Sequence, residues 1–232
     1  PGTWSAERGY CSGNPNMSCS YILSLGVIAT VLQDHPKAEE WAAYAGGWLN
    51  HWLNTEIGPN GEWLPEGSHY GFVSLEPMLS FAIAAQRAGF ADFTNDPRLK
   101  KMLLYFAKYH TPRDPQRGNL RVSGAYGRGT SGDRLGVFGL AAAMNNGQDR
   151  AFTATMEWLW QEMGYTTHIG DGRLGGFEPF YMDRTLPATA PQWGSELFPK
   201  LGVLLRAAFN TPHESYINLL AAVQAEDNLD IW

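Results

Sequence analysis

Residues 96–106 read Asp-Pro-Arg-Leu-Lys-Lys-Met-Leu-Leu-Tyr-Phe, and this stretch sets the fold class. Asp96 offers a short acceptor side chain suited to a helix N-cap, and Pro97 supplies the φ of a first helical residue while lacking only an N–H that would have no partner there. Leu99, Met102, Leu103 and Phe106 then recur at the three-and-four spacing of one helical face. The same spacing continues on both sides. Tyr21, Ile22, Leu25, Ile28, Ala29 and Leu32 form one stripe, and Trp41, Tyr44, Ala45, Trp48, Leu49 and Trp52 form a second. Leu75, Met78, Leu79, Ala82 and Ile83 predict a helix that starts after Ser74 as N-cap, with Pro77 in its first turn. A small-residue-rich segment from about Leu135 to Met144, and the stripe Phe152, Met156, Leu159, Trp160 and Met163, predict two more.

Six helices joined by Gly- and Pro-rich loops, with no strand between them, imply helical hairpins wrapped around a common centre. The expected architecture is mainly α, an incomplete (α/α) toroid over residues 1–165. After Gly164 the pattern changes, because TTHIGDGRLGGFEPF carries glycine at intervals too short for a long helix. Residues 166–232 are therefore expected to form a linker and the first strands of a β-rich domain. Leu201, Val203, Leu205, Ala207 and Phe209 alternate along one strand, and Tyr216 to Val223 read as its hairpin partner after the turn at Asn210-Thr211-Pro212. Such a hairpin has two bare edges, so the expectation is that the β-rich domain is truncated and the protein continues past Trp232.

Of the 232 residues, 44% are apolar and 17% charged, which is the balance of a globular chain rather than a disordered one. A formal charge of −6 and the lack of any Lys/Arg run exclude a partner gripped mainly through phosphates, so no nucleic acid is expected. A few focused arginines can still hold an anionic polymer on an acidic protein. No stretch has the roughly 18 uninterrupted apolar residues of a transmembrane helix. Cys11 and Cys19 bracket the turn-rich SGNPNMS, which suits either a disulfide or two buried thiols. No histidine lies near them at zinc-ligand spacing, and neither a metal nor another cofactor is expected.

Two polar segments stand apart from the stripes. GEWLPEGSHYGF, residues 61–72, brings Glu66, His69 and Tyr70 together behind Trp63. A carboxylate, an imidazole and a phenol in a glycine-bearing connection are groups suited to proton transfer, and they equally suit a helix-entry loop with a hydrogen-bonded histidine. RGNLRVSGAYGRG, residues 117–129, places Arg117, Arg121 and Arg128 around Tyr126. Arginine pairs bidentately with carboxylates, and a nearby cation lowers a phenol's pKa, although a solvated loop explains the same composition.

The order GNPNM, GEWLPEGSHY, RGNLRVSGAYGR, WGSELFPKLGVLLRAAF and ESYINLL resembles the heparinase II/III-like polysaccharide lyases and their alginate-lyase relatives. That resemblance implies a helical toroid followed by an antiparallel β-sandwich, with a cleft binding a uronic-acid-containing polysaccharide or oligosaccharide. It implies β-elimination and a periplasmic or secreted setting. On this pattern His69 neutralises the uronate or acts as base, Tyr126 serves as acid or acid/base, and Glu66 orients His69. Tyr70 competes with Tyr126 for the proton-transfer role, and Asn16, Trp63, Arg121 and Arg128 are the expected substrate contacts.

The chain departs from the family at Ser68, where relatives often carry Asn as a carboxylate neutraliser. A further histidine of those enzymes usually lies deeper in the sandwich, so a missing C-terminal β-sandwich or a second chain is an expected partner. Two other functions fit the residues. A glycoside hydrolase on the same toroid would pair Glu66 with Asp133 or Asp171 across roughly 5 to 9.5 Å. A non-catalytic sugar-binding or assembly fragment would keep the aromatic and arginine contacts without a complete site.

Overall fold

In the computed structural model the described residues are 15–65, 68–123, 136–145, 148–164, 187–199 and 201–220, with only the backbone described at Pro15, Ser68, His69 and Leu220. They form a mainly helical structure with a small antiparallel sheet: α1 (Pro15–Val31), α2 (Ala38–Thr55), α3 (Ser68–Ala88), α4 (Pro97–Lys108), α5 (Val137–Asn145), α6 (Arg150–Glu162), β1 (Glu196–Phe198), β2 (Gly202–Ala207) and β3 (Ser215–Leu220). The change of composition after Gly164 falls on residues 165–186, outside the described ones.

The capping at α4 follows the sequence. Asp96 stays extended at φ −64° and ψ 120°, its side chain accepts the Arg98 N–H, and Pro97 occupies the first turn. Leu99, Met102, Leu103 and Phe106 are all buried. Asp149 plays the same part for α6, accepting the Phe152 N–H at 3.2 Å.

α1 and α2 turn differently from the expected faces. Tyr21, Ile28 and Leu32 are exposed, while Cys19, Ile22, Leu23 and Ala29 enter the core. Because α1 has no charged residue, its periodicity alone cannot select a face. Gly26 favours it: a Cβ there would stand 2.5 Å from the Phe81 ring and 2.6 Å from Ala45 Cβ, so the bare backbone on this side lets α2 and α3 approach closely. On α2 the inward residues are Ala38, Ala42, Ala45, Leu49, Trp52 and Leu53, and Tyr44 is left outside.

α3 begins at Ser68 rather than after Ser74, so Pro77 lies within the helix instead of its first turn. Ser74 is no cap; its hydroxyl donates to the Tyr70 carbonyl one turn back. Pro77 removes one backbone hydrogen bond. Phe72, Leu75, Met78, Leu79 and Phe81, all buried, hold the helix through that defect. His69 and Tyr70 therefore sit in the first turn of α3, not in the connection before it.

α1 packs along both α2 and α3, α3 reaches α5, α5 lies on α6, and α4 touches α2, α5 and α6. Among the described residues an apolar core runs through the six helices and includes Phe198, Leu201 and Leu204 of the sheet region. The sheet order is β1-β2-β3, with Leu197 opposite Val203, Leu204 opposite Asn218 and Leu205 opposite Ile217. The predicted hairpin is present, and β1 is an added strand. Its inward row is Phe198, Leu204 and Arg206, whereas Leu197, Leu205, Ile217 and Leu219 are exposed. The alternating row containing Val203 and Leu205 is therefore the outer one. Since a strand's side chains alternate strictly, seating Arg206 inside dictates the position of every other β2 residue.

Two glycines give opposite expectations. Gly61 has φ +91°, and a Cβ there would lie 2.2 Å from the Lys101 carbonyl oxygen, whereas a Cβ at helical Gly47 would meet nothing within 4 Å. Gly61→Ala should lose about 2 kcal/mol or more, from left-handed strain plus overlap. Gly47→Ala should gain about 1 kcal/mol, the usual difference within a helix. Urea-denaturation midpoints at constant slope would measure both.

Candidate functional site

The two polar segments meet different fates. In the first, residues 56–64 close into a compact loop: the Gly58 N–H donates to the Glu62 carbonyl at 2.8 Å and the Leu64 N–H to the Glu56 carbonyl at 2.9 Å. Glu62 is buried, with Oε2 accepting the Asn60 N–H at 2.7 Å and Oε1 without a hydrogen-bond partner. Trp63, expected to face a sugar, is 0% exposed and belongs to the core, so no ring face is open. Among the described residues of this group Tyr70 is exposed, at 38%. Glu66 and the side chain of His69 lie outside the described residues, as do Tyr126 and Arg128.

Asn16, in the first turn of α1, is buried, and its Oδ1 finds no hydrogen-bond partner. Cys19 is buried, while Cys11 is outside the described residues. The carboxylate pair required for hydrolysis, Glu66 with Asp133 or Asp171, also falls outside them.

Residues 110–123 form a narrow antiparallel hairpin. The Thr111 N–H donates to the Val122 carbonyl at 2.8 Å and the Asp114 N–H to the Leu120 carbonyl at 2.9 Å. A 3-10 turn at Pro115–Arg117, followed by Gly118 and Asn119 at φ 69° and 62°, reverses the chain. Arg121, expected at the substrate, instead points into the molecule at 2% exposure. Its Nη2 and Nη1 donate to the Glu214 carboxylate at 2.7 and 3.1 Å, Nη1 to the Thr111 carbonyl at 3.0 Å, and Nε to Glu162 at 3.3 Å. The guanidinium lies 4.9 Å from the Phe209 ring centroid and 5.2 Å from that of Trp158. Its charge is thus answered inside the protein.

Arg206 completes the cluster. It pairs with Glu214, and Nη2 donates to the Lys108 and His110 carbonyls at 2.8 and 2.7 Å. Burial pulls its pKa below the usual guanidinium value, against the opposing pull of Glu214. Burial alone would raise the Glu214 carboxyl, but hydrogen bonds from Arg121 and the Asn210 N–H, together with both arginine charges, hold it below the usual carboxylate range. Glu162 carries Arg113 as well, at 2.7 Å.

His110 lies at the edge of this cluster, 1% exposed, with its ring edge-on to Phe138 and Phe72 at 5.1 and 6.4 Å. Nδ1 is 3.1 Å from the Ala107 carbonyl, which makes Nδ1 the protonated nitrogen, and Nε2 has no partner. Burial lowers its pKa to about 3, aided by Arg121 and Arg206 and opposed by that hydrogen bond. A neutral imidazole locked in an apolar site serves packing. Solvent access, not residue type, separates a core histidine from a titrating one.

No family model, curated protein or solved structure matches this chain. Among the described residues, no group of three or more His, Cys, Asp or Glu side chains could hold a metal ion, and no helix is long and apolar enough to cross a membrane. An open groove of about 370 Å³ on α2 is lined by Ala43, Tyr44, Gly47, Trp48 and His51. Its lining holds one imidazole, His51, and one phenol, Tyr44, with no carboxylate or arginine beside them.

Glu214→Gln removes the charge shared by two buried guanidinium groups and should cost about 3 kcal/mol in denaturant-measured stability. The buried His110 resists protonation down to pH about 3, while the unfolded chain takes up that proton near pH 6.5. Stability from this residue is therefore complete above pH 6.5 and falls by up to about 1.4 kcal/mol per pH unit below it. His110→Phe should flatten that part of a stability-versus-pH curve.

Proposed function

We propose that this chain carries the helical toroid and β-strands of a heparinase II/III-like polysaccharide lyase, which cleaves a uronic-acid-containing polysaccharide by β-elimination. The observation that carries the reading is the order of the polar motifs along the chain, from GNPNM through GEWLPEGSHY and RGNLRVSGAYGR to WGSELFPKLGVLLRAAF and ESYINLL. The succession of packed neighbours α2–α1–α3–α5–α6 supports a toroid. The exposed aliphatic row Leu197, Leu205, Ile217 and Leu219 supports a second β-layer, because strands apolar on both faces suit burial on both.

In the proposed reaction a base removes the C5 proton of the uronate, the C4–O glycosidic bond breaks as a C4–C5 double bond forms, and an acid protonates the departing oxygen. Charge develops on the uronate carboxylate as the C5 proton leaves, so a group that neutralises it there lowers the barrier most. His69 is the proposed neutraliser or base, and Tyr126 the proposed acid or acid/base. Glu66 orients the imidazole, and Tyr70 is the alternative proton-transfer phenol. The position of His69 in the first turn of α3 favours an anionic group beside it, since a helix N-terminus carries partial positive charge. Asn16 and Arg128 are the proposed substrate contacts; the guanidinium of Arg121 is already engaged by Glu214 and Glu162.

A panel of uronate polysaccharides incubated with the chain tests this. The expected product has an unsaturated, ultraviolet-absorbing end, and His69→Ala and Tyr126→Phe should each lower kcat by about 100-fold or more. New reducing ends without that absorbance would favour paired-carboxylate hydrolysis. Binding with neither product would favour a non-catalytic sugar-binding module. Wild-type turnover in both variants would overturn the site assignment while leaving the reaction class standing.

A further inference from the structure

We draw no further inference here: the strongest candidate, the uncharged outer face of α1 at Tyr21, Ile28 and Val31, is an exposed apolar face and nothing in the structure shows what covers it.

Discussion

Glu214 faces two guanidinium groups that arrive from distant parts of the chain, Arg121 from the 110–123 hairpin and Arg206 from β2. None of the three side chains is more than 2% exposed, so water cannot take over if one partner is lost. Taking charges out of water is expensive, and only dense, well-directed hydrogen bonding repays it. The Thr111, Lys108 and His110 carbonyls and the Asn210 N–H supply that here. The consequence reaches well beyond the cluster. Seating Arg206 fixes which face of β2 turns inward, and that face sends Leu204 to the helical core.

Around this anchor the helices and sheet share their packing. Phe198 of β1 meets Tyr105 of α4 and Tyr109 just after it at 5.0 and 5.7 Å, and Tyr216 of β3 donates to the Tyr109 carbonyl at 3.1 Å. Lys108 pairs with Glu196 at the same junction. Asn60, in the loop after α2, reaches the Leu197 carbonyl at 2.8 Å. The sheet therefore adheres to the C-terminal end of α4 through aromatic contact, charge and hydrogen bonds together. Its other face carries the aliphatic row that the helices leave uncovered.

The arginine-rich segment shows how composition divides between roles. Arg117 stays at the surface beside Asp114, while Arg121, four residues later, is drawn into the interior. An arginine in a loop segment looks the same in sequence whether its counter-charge is a ligand or Glu214, some 93 positions away. Trp63 is a parallel case, a ring among loop residues that the fold closes over completely. The shift in the start of α3 works the other way. It moves His69 and Tyr70 from a loop to a helix N-terminus, where backbone N–H groups and the helix dipole favour an anion.

The local elements were legible from the residues alone. Asp96 and Pro97 set a helix start, the three-and-four spacing set five helices and a run of small residues a sixth, and alternation around the Asn210-Thr211-Pro212 turn set a hairpin, because these depend on neighbours a few residues away. Orientation came from contacts made across the fold. Gly26 favoured the buried side of α1 by admitting Phe81 and Ala45, the core overrode the break at Pro77, and Glu214 drew Arg121 and Arg206 inward. Each of these depends on a partner remote in the chain. Periodicity can say that a face exists, but close packing and the cost of burying an unanswered charge determine which way it turns.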